Sequence, residues 1–213
     1  MTSPIHNAPP IENRFFTLGL PMRPALDPAS IKEAYFQRIS RAHPDRQGLD
    51  GPEGQADEAA AKLNAAFKTL SEPSSRLRHL LDLLGIPLQK NPPANLTDLY
   101  FELAGILRET DLALVSVPKN TSPLLKVRLF SKVQETQDRL DSMNQRIVEI
   151  QTLALQSLQD LDAQWPPDFP PSTTPMQLQQ LQEVYTTLSY TSKWLAQIAE
   201  RKSAALQLLL ASD

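Results

Sequence analysis

PASIKEAYFQRISRAHPDR, residues 28–46, is the stretch that decides how this chain reads. Asp27 followed by Pro28 has the form of a helix N-cap with proline at the first helical position, where the missing N–H costs nothing. Ile31, Ala34, Tyr35, Ile39 and Ala42 then recur at spacings of three and four, which is one apolar stripe of a helix. Pro44 biases His43 away from helical backbone angles, so the helix is predicted to stop at Ala42 or His43. Lys32, Arg38, Arg41 and Arg46 stand against Glu33 and Asp45, so the stretch is locally basic in a chain whose net charge is −3.

On the N-terminal side, residues 1–12 hold three prolines and little to bury, and are expected to form a disordered leader. Asn13 to Leu18 is predicted to be a short helix closed by Gly19-Leu20-Pro21. On the C-terminal side, Gly48 to Gly54 carries three glycines and a proline, the composition of a loop. A second amphipathic helix is expected from Gln55 to Leu70, with Ala56, Ala59, Ala60, Leu63, Ala66, Phe67 and Leu70 on one face. Ser71-Glu72-Pro73 interrupts it. A third helix comes next with Leu77, Leu80, Leu81 and Leu84, and Gly85 sits where a left-handed C-cap is wanted.

Gln89 to Pro93 is polar and proline-rich between helical patterns, and the domain boundary is placed there. The expected organisation is a leader (1–12), a first helical domain (13–88), a linker (89–95) and a C-terminal helical bundle (96–213). The bundle reads as three helices, about Leu96–Val115, Pro123–Gln164 and Met176–Ala211, separated by proline-containing connections. Leu125, Leu129, Val133, Leu140, Ile147, Ala154 and Leu161 mark the middle helix, and their heptad-like spacing also admits self-association as a homodimer. Leu181, Val184, Tyr185, Leu188, Leu195, Ile198 and Leu206 mark the last. The acidity lies in this half: residues 91–213 hold 14 acidic and 10 basic side chains, against 10 and 11 in residues 1–90.

The 213 residues include no cysteine, which removes disulfides, a thiolate nucleophile and cysteine-held metal. A near-neutral balance of 21 basic and 24 acidic groups does not suit a protein that neutralises nucleic-acid phosphates or binds membranes through a polybasic patch. No stretch approaches the roughly 18 apolar residues of a membrane span, and no targeting signal is legible, so a cytoplasmic location is expected. Walker, GxGxxG, HExxH and GxSxG patterns are missing. An enzyme would have to be built from His6, His43, His79 and scattered carboxylates, and no spacing brings His43, Asp45 and His79 together.

The order of short helix, basic helix, His43-Pro44-Asp45, loop and Ala-rich helix resembles the J-domain of DnaJ-type co-chaperones. AYFQRISRAHPDR (34–46) looks like its second helix and loop, and LNAAFKTLSEPSSRLRHLL (63–81) like its third helix and the segment after that helix. FFTLGLP (15–21), LNAAFKTLSEPSSRLRHLLDLLG (63–85) and an attached all-helical half without a Gly/Phe-rich linker are similar to the HscB-type branch, the co-chaperones of iron–sulfur cluster biogenesis. Ala42 stands where many J-domains have Tyr or Lys, and Arg46 where Lys is usual.

The resemblance implies an all-α protein in which an N-terminal J-domain, an antiparallel helical hairpin with short flanking helices, precedes a three-helix bundle. It implies a non-enzymatic activator, without a cofactor or metal of its own, that stimulates the ATPase of a DnaK/HscA-type chaperone and brings it an IscU-type iron–sulfur scaffold. By resemblance His43, Pro44, Asp45, Arg46, Lys32, Arg38 and Arg41 would meet the chaperone. Leu99, Tyr100, Leu103, Tyr190 and Trp194 would meet the client. Leu99, Tyr100, Phe101, Leu103, Ile106 and Leu107 are in any case too many apolar groups for one core-facing stripe. Rival readings are a J-domain protein with a different client, a self-associating helical scaffold with an incidental His-Pro-Asp, and a metal-dependent hydrolase built on His43.

Overall fold

The structure, a computed structural model, describes residues 11–42, 55–88, 92–115, 123–167 and 172–210. The expected leader up to residue 10, the 43–54 loop with His43, Pro44, Asp45 and Arg46, and linker residues 89–91 lie outside the described residues. Every regular element among the described residues is helical. In order these are α1 (Arg14–Leu18), α2 (Pro28–Ala42), α3 (Gln55–Ser71), α4 (Pro73–Leu83), a 3-10 turn (Ala94–Leu96), α5 (Thr97–Val115), α6 (Pro123–Ala163) and α7 (Pro175–Leu210). None of these helices is long and apolar enough to cross a membrane.

Two compact units are present, Met1–Leu88 with Leu158–Tyr185, and Gln89–Ser157 with Thr186–Asp213. The break at residue 89 coincides with the proline-rich boundary. Leu158–Tyr185 differs from the expected division: assigned by sequence to the C-terminal bundle, it belongs to the N-terminal unit. Side chains near residue 162 bond the segment between α1 and α2, a pairing across about 140 positions that no local pattern encodes.

In the N-terminal unit local chemistry sets the helix ends. The Asn13 side chain accepts the Phe15 and Phe16 amides at the start of α1, and Gly19, at φ 63°, takes the left-handed turn that ends it. Asp27 accepts the Ser30 amide at 2.9 Å, which with its bond to the Ser30 hydroxyl holds its carboxyl below the usual range. Glu72 caps α4 through the Ser74 and Ser75 amides. Gly85, at φ 69°, closes α4 in a Schellman arrangement, with its amide on the Asp82 carbonyl and that of Ile86 on Leu81.

α2 and α3 pair as a hairpin. Tyr35 lies 4.5 Å from Phe67 between ring centroids and donates its hydroxyl to Asn64 Oδ1 at 2.7 Å. Further along α2, Arg38 and Arg41 share a groove with Leu63, Lys62 and Ala59, so the pairing runs antiparallel. Phe15, Leu18, Ile31, Ala66, Leu70, Leu77, Leu80 and Leu81 are almost wholly buried. Burial of a single leucine contributes about 1.5–3 kcal/mol.

In the C-terminal unit α5, α6 and α7 surround Leu96, Leu99, Leu103, Ile106, Leu107, Leu140, Met143, Ile147, Trp194 and Ile198. Val133, Leu140, Ile147, Ala154 and Leu161, seven apart, are all buried within the chain. The described part of the stripe that suggested self-association is therefore covered. Leu125 and Leu129 lie outside the described side chains. On α7 the expected core position Leu206 is exposed and Ala205 is buried instead, because the seven-residue step from Ile198 lands on 205.

Candidate functional site

On α2 the expected basic face divides in two. Arg38 and Arg41, three residues apart, line a groove of about 380 Å³ with Thr17, Ala59, Lys62 and Leu63, and the Arg38 guanidinium lies against Gly19. Lys32 is nine residues from Arg41, about half a turn around the helix. It stands four residues from Phe36, a phenylalanine left exposed. Lys32, Arg38 and Arg41 have no acidic partner among the described residues, while Lys62 is paired with Glu58 at 2.6 Å.

His79, weighed in the sequence as a metal or catalytic partner of His43, is committed elsewhere. Its Nε2 accepts the Arg14 amide at 3.0 Å, its ring stacks on Phe15 at 5.7 Å, and the residue is buried. Burial, with the Arg14 charge beside it, lowers its pKa from 6.5 to about 4. The imidazole is neutral at pH 7 and carries its proton on Nδ1. Among the described residues no cluster of three His, Asp or Glu side chains could hold a metal ion.

At the start of α5 the overloaded apolar sequence sorts itself. Leu99, Leu103, Ile106 and Leu107 turn into the core, and Tyr100 and Phe101 stay exposed, at 42% and 66%. Of the five residues expected to meet a client, Leu99, Leu103 and Trp194 pack in the core where α5 closes against α6 and α7, and Leu103 and Trp194 also line a groove at its edge. Tyr190 is half-buried at the edge, 5.8 Å from Trp194 between ring centroids, with Lys193 over its ring. Tyr100 lies 6.2 Å from Trp194. A groove of about 290 Å³ opens there, bordered by Tyr100, Ala104, Arg108, Trp194 and Gln197. Phe101 was missed in the sequence, where only its phase distinguishes it from Leu99 and Leu103.

The family description "DnaJ domain" matches residues 16–79, from α1 into α4 and across His43-Pro44-Asp45. The chain carries a J-domain. "Co-chaperone protein HscB homolog" of Bordetella pertussis is 35% identical to it over 80 residues, 37% of this chain and 47% of that protein. The Chromobacterium violaceum homolog is 37% identical over 79 residues, 36% of this chain and 45% of the relative. The chain thus spans about half the length of the curated relatives it matches. In fold, the likeness to chaperone HscB from Vibrio cholerae covers 90% of this chain and 98% of that one, with a TM-score of 0.59 at 19% identity. For human co-chaperone protein HscB the values are 92%, 84%, 0.52 and 18%.

Within the J-domain, α2 presents Arg38 and Arg41 beside α3, and Lys32 with Phe36 on its outer side. Two contacts that reach beyond the DnaJ-domain match complete this unit. Arg23 and Asp162 form a bidentate ion pair, and the Trp165 indole donates to the Met22 carbonyl. Neither was legible in the sequence, since the partners lie about 140 residues apart.

Proposed function

We propose that this chain is a co-chaperone whose J-domain docks on a DnaK/HscA-type chaperone and stimulates its ATPase, while the C-terminal unit holds an IscU-type scaffold during iron–sulfur cluster assembly. The observation that carries the reading is the DnaJ-domain match over residues 16–79, with His43-Pro44-Asp45 falling between α2 and α3. The cations of α2 suit an acidic docking surface: charge complementarity speeds and orients encounter more than it supplies affinity. Pro44 restricts the loop backbone, and His43 and Asp45 supply polar groups for the partner. Hydrolysis takes place in the chaperone, so the chain acts as an activator and not as an enzyme.

For the client, the exposed pair Tyr100 and Phe101 and the edge of Tyr190 offer aromatic groups of the kind that anchor interfaces. Leu99, Leu103 and Trp194 support that surface from beneath. ATP turnover by a DnaK-type chaperone, measured with the wild type and with His43→Gln or Asp45→Asn, tests the first half. Stimulation by the wild type and its loss in both variants, at unchanged helicity, is expected; equal stimulation by the variants would reject the reading. Tyr100→Ala with Phe101→Ala is expected to weaken binding of an IscU-type scaffold at unchanged ATPase stimulation, and unchanged binding would favour a different client.

A further inference from the structure

The segment Leu20–Asp27, which leads from α1 into α2, carries prolines at 21 and 24 and is held by side chains far away in sequence. From α4, buried Arg76 donates Nε to the Pro24 carbonyl at 2.8 Å and Nη1 to the Leu70 carbonyl at 2.6 Å. From the last turn of α6, the Asp162 carboxylate accepts Arg23 Nη2 at 2.8 Å, Arg23 Nε at 3.2 Å and the Ala25 amide at 3.1 Å. The Asp162 carbonyl takes a further bond from Arg23 Nη2 at 2.7 Å. The Trp165 indole donates to the Met22 carbonyl at 3.1 Å. The Asp162 side chain is 16% exposed, against 40% for Arg23. Two residues beyond Ala25, Asp27 caps α2 through the Ser30 amide, and its carbonyl accepts the Ile31 amide.

We propose that Asp162 is a positioning residue for α2: by holding Arg23 and the Ala25 amide it fixes the backbone that leads into the Asp27 cap, and so sets where the docking helix begins. The inference rests on the docking role given to α2 above. It makes the α6–α7 corner, far outside the DnaJ-domain match, a working part of the N-terminal unit.

Two readouts on the full chain test it. Asp162→Ala removes the ion pair and the Ala25 acceptor, and Asp162→Asn retains an oxygen for Ala25. In hydrogen exchange, which needs no chaperone, the Ser30 and Ile31 amides are expected to exchange about tenfold faster in Asp162→Ala and to be partly restored in Asp162→Asn, on the scale of a lost charge-assisted hydrogen bond. Leu70 and Leu80 amides, in α3 and α4, are expected to keep their protection, which a general loss of stability would not allow. In ATPase assays the concentration of Asp162→Ala giving half-maximal stimulation is expected to rise while the maximum stays at the wild-type level. Unchanged exchange at Ser30 and Ile31, equal loss of protection at all four amides, or an unchanged half-maximal concentration overturns the proposal. Wild-type protein that stimulates no DnaK-type chaperone, with the exchange pattern intact, rejects the docking role instead and leaves the fixing of the α2 start standing.

Discussion

Charge is used differently in the two units. In the C-terminal unit Arg146 reaches Glu102 at 2.7 Å, Arg139 reaches Glu109, Arg201 reaches Asp111 at 3.2 Å and Lys202 reaches Asp141, each pair joining two helices. Glu102 and Glu109 are seven apart, as are Arg139 and Arg146 in the opposite direction, so the two pairs fit one antiparallel register of α5 and α6. On α2, Lys32, Arg38 and Arg41 meet no carboxylate among the described residues, and the most enclosed ion pair described in the N-terminal unit joins Arg23, in the segment before α2, to Asp162. The cations paired between helices of the C-terminal unit select a register.

The comparison can be broken most severely in the core beneath the charged rim. Ile147→Ala is expected to cost about 2–5 kcal/mol in the unfolding of the C-terminal unit, since the side chain is fully buried in its core. Chemical denaturation of the full chain measures it. A loss below about 1 kcal/mol would mean that the pairs and not the core hold the bundle.

A second experiment uses pH on the N-terminal unit. His79 has a folded pKa of about 4 against an unfolded value near 6.5, so the unfolded chain takes up its proton first. The stabilisation is complete above pH 6.5, is lost as pH falls toward 4, and amounts to about 3 kcal/mol in all. Denaturation midpoints between pH 7 and pH 4 should show this slope, and His79→Gln should remove it.

Arg38→Glu with Arg41→Glu sharpens the contrast directly. With no acidic partner among the described residues, these residues should change stability by no more than about 0.5 kcal/mol. The concentration needed for half-maximal ATPase stimulation should rise at least about tenfold, by an amount that shrinks with added salt. The smallest effect belongs to the other side of the comparison. Arg146→Ala should cost about 0.2–1 kcal/mol of stability, because both partners are half exposed, and should leave stimulation unchanged.

Much of the fold was legible because it is local. Asn13, Asp27 and Pro28 announce helix starts, Gly19 and Gly85 announce ends, and the long helices end within a residue or two of where proline and apolar period place them. The candidate site was legible in part. The basic residues of α2 were visible, but Lys32 and Arg41 read as one face until the helix set them on opposite sides. Tyr100 was visible as aromatic and Phe101 was passed over, since an all-apolar run does not reveal which members its neighbours will cover.

The sequence by itself determined the all-helical class, the caps, the boundary near residue 89 and the His-Pro-Asp signature, because each rests on residues within a few positions of one another. Only the tertiary structure decided that Leu99, Leu103 and Trp194 go inside while Tyr100 and Phe101 stay out. It alone gave His79 to Arg14 and Phe15, and Asp162 and Trp165 to the segment before α2. The physical reason is the same throughout: burial and buried hydrogen bonds depend on which surfaces meet, and those surfaces come from parts of the chain up to 143 residues apart.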